Sequence, residues 1–182
     1  FEQAMTRKKK LHNIHKSNVL MSSVLWNEEL EEVHTEYPDD EVIHLLVDAA
    51  ATALCLNTGQ FDVMVMENMF GDILSDQAGG ILGSLGLMPS ACIGPNKAYY
   101  EPSHGSAPDI AGQGIANPIG QILSMGMMLR YSFNMDKEYE AVMRAVDCAL
   151  RDGYRTKDVA LREHTFVSTD VMGDVITNLI KK

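Results

Sequence analysis

Two short, nearly continuous apolar runs constrain this chain more than any other feature. Glu41 to Val47 (EVIHLLV) and Phe61 to Met66 (FDVMVM) lack the strict alternation of a half-exposed strand, and an Ala-rich segment from Ala49 to about Leu56 lies between them. Runs of that kind fit strands buried on both faces, as parallel strands are. Parallel neighbours need a crossover, so strand, helix, strand reads as a βαβ unit and the chain as an α/β protein. Leu11 to Ile14 reads as a further short strand. Ser17 is then placed to cap a helix whose apolar stripe is Trp26, Leu30, Val33 and Tyr37, ended by Pro38.

A helix from about Phe70 to Leu85 follows the second run, with Ile73, Leu74, Ala78, Ile81, Leu82 and Leu85 on its buried side and Gly86 as its stop. From Pro89 to Asn117, short strand-like pieces (Ala91 to Ile93, Ala98 to Tyr100) lead into a loop rich in Gly, Pro and Ser, where function is expected. Three helices complete the reading: Asn117 to Tyr131, Asp136 to Arg151 closed by Gly153, and Thr169 to Ile180 capped by Ser168 or Thr169. Met125, Met127 and Met128 are assigned to core packing. Phe1 to Lys10 (FEQAMTRKKK) reads as the end of a helix with cations in its last turn. With Phe in first place, the chain is expected to start inside a longer protein.

Charge narrows the partners. Fifteen Lys and Arg against twenty-five Asp and Glu give a net charge of −10 in 182 residues, which disfavours nucleic acid and anionic membrane surfaces. No apolar run approaches the roughly 18 residues of a membrane helix. The eighty residues from Ser17 to Asn96 contain no Lys or Arg. Cys55, Cys92 and Cys148 are odd in number and scattered, which fits reduced thiols in a cytoplasmic protein rather than a disulfide framework or zinc site. His15, His34, His44 and His164 show no metal-ligand spacing and read as structural.

Against that acidic background several residues stand apart. Asp72 and Asp76 lie one helical turn apart, which brings their Cβ atoms to about 5–6 Å on one face. Two like charges so placed favour a cation between them, and a hard divalent ion such as Mg²⁺ or Mn²⁺ suits carboxylate oxygens, although a solvated helix face gives the same spacing. Asp48 follows an apolar strand, at the end where open α/β sheets collect ligands, and a helix cap is the alternative. Lys16 is the single cation between Lys10 and Lys97, either a solubilising surface residue or a group that holds an anion or shuttles a proton. The loop from His104 to Asn117 (HGSAPDIAGQGIAN) exposes backbone N–H groups, and its Asp109 is suited to accept from ribose hydroxyls. Its Gly112 and Gly114 lack the third glycine and the preceding strand of a dinucleotide-binding fingerprint.

Four segments together resemble the β-hydroxyacid oxidative decarboxylases, the isocitrate/isopropylmalate dehydrogenase family. They are Lys16 to Trp26 (KSNVLMSSVLW), Asn68 to Asp76 (NMFGDILSD), Gly83 to Ser90 (GSLGLMPS) and Glu101 to Gly112 (EPSHGSAPDIAG). The resemblance implies the C-terminal half of a two-domain α/β enzyme, with residues 1–83 in the inner, dimer-forming domain and 84–182 in the outer, cofactor-binding domain. It implies Asp48, Asp72 and Asp76 as Mg²⁺ or Mn²⁺ ligands, and Lys16 with Asp48 as catalytic residues. It also implies a loop of His104, Gly105, Ser106, Ala107, Asp109, Ile110 and Asn117 around NAD, with Asp109 opposing a 2′-phosphate.

The implied reaction is NAD-dependent oxidative decarboxylation of a dicarboxylate. Ser22 to Trp26 favours the isopropylmalate branch, a step of leucine biosynthesis, over isocitrate, homoisocitrate or tartrate-type relatives. The active site would be shared in a homodimer, with Lys16 and Asp48 acting in trans, and the family's substrate arginines would lie in an absent N-terminal half, leaving this chain weak or inactive alone. A non-catalytic assembly subunit is the contrasting reading, and the intact set of Lys16, Asp48, Asp72, Asp76 and Asp109 argues against it.

Overall fold

The structure, a computed structural model, describes residues 1–160 and 166–181, so His164 lies outside the described residues. It divides into two compact units, Phe1–Ala78 and Gly79–Lys182.

The first unit opens with a single helical turn, α1 (Glu2–Met5), and then builds a parallel sheet from β1 (Lys10–His15), β2 (Glu41–Leu46) and β3 (Val63–Val65). The strand order is β2-β1-β3, with Leu11 opposite both Val42 and Val63. The connections are α2 (Met21–His34) and α3 (Val47–Leu56), and α4 (Asn68–Leu82) follows β3. This is the parallel α/β arrangement expected from the two apolar runs. Every residue of β1 after Lys10 is buried, because a strand in the middle of the sheet is covered on both edges and both faces. Ile14, Ala50, Leu54 and Leu74 form the core, and Leu45, Phe61, Met64 and Met66 pack around them.

A polar joint sits inside this apolar unit. Asn13 is fully buried. Its Oδ1 accepts the Trp26 indole N–H at 2.7 Å, and its Nδ2 donates to Asn27 Oδ1 at 2.8 Å and His44 Nδ1 at 3.1 Å. Because an indole only donates, the amide orientation is fixed, and His44 is left to donate from Nε2 to Glu31 at 2.7 Å. The joint satisfies all of Asn13's hydrogen-bonding groups and ties β1 to α2 and β2.

Several local expectations are corrected. The N-terminal helix stops at Met5, and Lys10 belongs to β1. The basic residues are drawn elsewhere, since Asp62 accepts from Arg7 Nε at 2.9 Å and the Lys8 N–H at 3.0 Å. Ser17 does not cap α2, whose N-cap is Leu20, and the Ser17 N–H instead donates to His15 Nδ1 at 3.3 Å. On α4 only Leu74 of the assigned stripe is deeply buried, whereas Ile73 is 58% and Ile81 46% exposed. The helix ends at Gly83, whose φ of +98° suits a residue without Cβ, not at Gly86. Met125 is exposed too.

In the second unit an antiparallel pair, β4 (Pro89–Ile93) and β5 (Ala98–Pro102), carries α5 (Ile119–Phe133) on one side. Ser124 of α5 is fully buried, accepts the Ser90 N–H at 3.2 Å and donates to the Glu101 carbonyl at 2.9 Å. Helix α6 (Asp136–Arg151) packs on α5, and α7 (Thr169–Ile180) packs on α6. Ile119, Ala145, Val146, Ala149, Met172 and Ile176 form the core. The expected cap is present, with Ser168 Oγ accepting the Val171 N–H at 3.3 Å. Among the described residues no helix is long and apolar enough to cross a membrane.

Candidate active site

The carboxyl ends of the three parallel strands gather the reactive side chains of the first unit. Lys16 follows β1 directly, Asp48 stands in the first turn of α3 just after β2, and α4 begins three residues after β3. The Lys16 ammonium forms an ion pair with Asp48 Oδ1. That hydrogen bond, helped by Asp48's own backbone amide, holds the Asp48 carboxyl below its ordinary value. The turn carrying Lys16 is braced from behind, where buried Ser23 Oγ accepts the Lys16 N–H at 3.1 Å.

Asp72 and Asp76 are exposed on α4. Asp72 accepts from Asn68 Nδ2 at 3.1 Å, and among the described residues no Lys or Arg pairs with either carboxylate. Asp48 is not brought to them, and no group of three His, Cys, Asp or Glu side chains among the described residues is arranged to hold a metal. Asp72 and Asp76 themselves fit a hard divalent cation. Mg²⁺ commonly takes one or two protein carboxylates and fills its remaining positions with substrate and water oxygens.

The second unit contains a cavity of about 660 Å³, within the range of small-molecule sites. Six of the seven residues assigned to the cofactor line it: His104, Gly105, Ser106, Ala107, Ile110 and Asn117. Asp109 does not, although it lies in the same loop, where Gln113 Nε2 donates to its carbonyl at 2.7 Å. The loop has a tight backbone. Ala107 sits at φ +44°, a left-handed conformation that costs a residue with Cβ about a kilocalorie per mole or more. Its far end is held to α7 by Thr169, whose N–H donates to the Gly114 carbonyl at 2.9 Å and whose hydroxyl donates to Ala116 at 2.5 Å. The cavity suits an adenosine-sized ligand, with apolar walls, backbone amides and a few convergent polar side chains.

The chief of those polar groups escaped the sequence reading. Asp158, a lining residue, accepts from the Ser84 hydroxyl and from Asn117 Nδ2 (3.0 Å) on Oδ2, and from the Thr156 hydroxyl (2.6 Å) on Oδ1. Burial around the carboxylate pushes its acidity down, but the hydrogen bonds from Ser84, Thr156, Asn117 and its own amide outweigh that and hold the carboxyl below the ordinary range. Asn117 is locked as well, because its Oδ1 accepts the Ile119 N–H at 3.0 Å and so caps α5. Gly86 lets these parts close, since a Cβ there would stand 2.8 Å from Asn117 Cβ and 3.1 Å from Asp158 Oδ2. Ser84 carried no role in the sequence, Gly86 read only as a helix stop, and Thr156 and Asp158 carried no local pattern beyond two polar residues after a helix stop.

The first unit is a parallel α/β sheet with Lys16 and Asp48 at its strand ends, and the second, an antiparallel pair with three helices, holds a cavity of small-molecule size. The model of the isocitrate/isopropylmalate dehydrogenase family matches residues 1–176, and the chain belongs to that family. It is 52% identical over 182 residues to the 3-isopropylmalate dehydrogenase of Thermotoga maritima, covering 51% of that protein. It is 53% identical over 175 residues to the enzyme of the same name from Heyndrickxia coagulans, covering 48%. The isocitrate dehydrogenase of Methylococcus capsulatus matches the whole chain with a TM-score of 0.92 at 38% identity, over 53% of its own length. A β-decarboxylating dehydrogenase of Thermococcus kodakarensis gives a TM-score of 0.88 at 38% identity. The chain thus spans about half the length of the curated relatives it matches.

Proposed function

We propose that this chain is the C-terminal half of an NAD-dependent 3-isopropylmalate dehydrogenase, a decarboxylating enzyme of leucine biosynthesis. The observation that carries the reading is the pairing of Lys16 with Asp48 at adjacent strand ends, in a chain 52% identical to a protein of that name. The higher identity to isopropylmalate enzymes than to the isocitrate enzyme, 52% against 38%, favours the former substrate.

When bound, the nicotinamide would take a hydride from the hydroxyl-bearing carbon, and a divalent cation would polarise the carbonyl and favour loss of CO₂. Lys16, once it has passed its own proton to solvent and is neutral, takes the hydroxyl proton on Nζ, and Asp48 keeps that nitrogen at the strand end. Asp72 and Asp76 supply oxygen ligands to Mg²⁺ or Mn²⁺. The cavity loop takes the adenosine part, with Asn117 and Asp158 as its fixed polar groups and Ser106 and Gly105 offering amides to the phosphates. Asp109, in the same loop, discourages a 2′-phosphate. Because Asp48 stands apart from Asp72 and Asp76, a homodimer that supplies Lys16 and Asp48 to the partner's Asp72 and Asp76 completes the ligand set.

The test is NADH formation from 3-isopropylmalate with Mn²⁺, on this chain alone and with a separately supplied segment matching the other half of its relatives. Turnover that needs the added segment and falls at least about a hundredfold in Asp72→Asn supports the reading. Turnover with isocitrate alone, or none with either substrate, overturns it.

A further inference from the structure

Both backbone polar groups of Lys16 are spent on the start of α2. The Lys16 carbonyl accepts the Leu20 N–H at 2.9 Å, the Leu20 carbonyl accepts the Ser23 N–H at 3.1 Å, and Ser23 Oγ accepts the Lys16 N–H at 3.1 Å. The three bonds form a closed circuit, and the Val19 N–H adds a fourth to the Lys16 carbonyl at 3.0 Å. Only one link of the circuit is made by a side chain. It is the hydroxyl of Ser23, a residue that is 4% exposed in the first turn of α2. At its other end the Lys16 side chain meets Asp48, which is 65% exposed and stands on α3. An ion pair that open to water contributes little by itself. A flexible four-carbon stem separates the two ends, so the region Nζ can reach is set by where the main chain of Lys16 is held. Without Oγ, the half-buried Lys16 N–H must turn to find another acceptor, and the stem turns with it.

We propose that Ser23 is a positioning residue for proton transfer: its buried hydroxyl clamps the main chain of Lys16 to the start of α2, and that clamp, more than the ion pair with Asp48, aims Nζ at the strand end. The proposal rests on Lys16 being the base of the reaction. Ser23 touches no reacting atom in this scheme and acts through Lys16. A serine that merely stabilised α2 would lower stability when removed and leave both the accessibility of Nζ and kcat as they were. A positioning serine changes both, because a base displaced by about 1 Å loses on the order of a hundredfold in rate while substrate binding elsewhere is untouched.

The experiment has two arms. In the first, the full chain is acetylated with limiting acetic anhydride, and Lys16 is counted against Lys97, an exposed lysine of the second unit, by peptide mass spectrometry. Native Lys16 is expected to react at least about fivefold more slowly than Lys97, Ser23→Ala narrows the difference to about twofold or less, and Ser23→Thr, which keeps the hydroxyl, preserves it. In the second, with the chain joined by its complementary half, Ser23→Ala lowers kcat about tenfold or more, leaves KM for 3-isopropylmalate within about twofold, and is rescued by Ser23→Thr. Native Lys16 reacting as fast as Lys97, an unchanged labelling ratio in Ser23→Ala, or an unchanged kcat overturns the proposal. Should Ser23→Ala fail to fold by circular dichroism, Ser23→Cys, whose thiol is a weak acceptor, takes its place under the same criteria. Any of those results with native turnover present defeats the positioning role and leaves the dehydrogenase reading standing; no native turnover removes both.

Discussion

At the scale of single residues, the cavity depends on how closely backbone and side chains approach. Gly86 is the sharpest case, because the three side chains that an added methyl would meet, Asn117, Asp158 and Ser84, are each held by hydrogen bonds. Gly86→Ala is expected to destabilise the chain by about 1–3 kcal/mol and to weaken AMP binding at least about tenfold, measured by urea unfolding and calorimetry. A variant that keeps native affinity would show that Asn117 and Asp158 can shift together at little cost. The sequence made Lys16 conspicuous by following it with eighty residues that contain no Lys or Arg, and it made Asn117 legible through the loop's resemblance to known cofactor segments. Asp158 was invisible by the same means. Its meaning comes from Ser84 and Asn117, 74 and 41 residues away, and no spacing rule spans such distances.

At the scale of elements, continuous apolar runs identified β2 and β3 as strands but not their burial. Both are edge strands of the sheet, β3 is half-buried, and β2 has Glu41 and His44 exposed, so neither is covered on both faces as the runs implied. Helix α4 misled for a related reason. Its wheel has two apolar arcs, one around Leu74 facing the core and another at Met69 and Ile73 facing outward, and periodicity alone gives them the same signature. Strand β1 breaks the apolar rule with His12, Asn13 and His15, all buried. Burial holds both histidines below their ordinary value of 6.5, reinforced by Lys10 at His12 and by His44 at His15. The folded state therefore binds fewer protons than the unfolded one as the solution is acidified. Their contribution to stability is present above about pH 6.5 and is lost as the pH falls through the lowered values. Melting temperature is expected to fall between pH 7.5 and 5, with a shallower fall in His15→Asn. A native profile that is flat over this range would mean that neither ring needs to be neutral.

At the scale of the whole molecule, the outward arc of α4 gives the proposed homodimer its support. Met69 is 54% and Ile73 58% exposed, on the helix that carries Asp72 and Asp76. Ile73→Asp, in the chain joined by its complementary half, is expected to shift sedimentation from dimer to monomer and to abolish turnover while leaving AMP affinity unchanged. A dimer that survives this change would move the shared interface elsewhere. The resemblance implied a domain boundary between residues 83 and 84, and the texture of the sequence changes from Pro89. The two compact units divide inside α4, between Ala78 and Gly79, where the Gly79-Gly80 pair is the local mark in the sequence.

The joint around Asn13 has a further consequence, an optical one. Trp26 is the chain's single tryptophan, and its indole N–H is bonded to a fully buried amide in the first unit. Its emission is therefore a native reporter of β1 staying attached to α2, with no signal from residues 79–182. Fluorescence can follow the sheet that bears Lys16, while circular dichroism, dominated by helices, follows the chain at large, without any label being introduced.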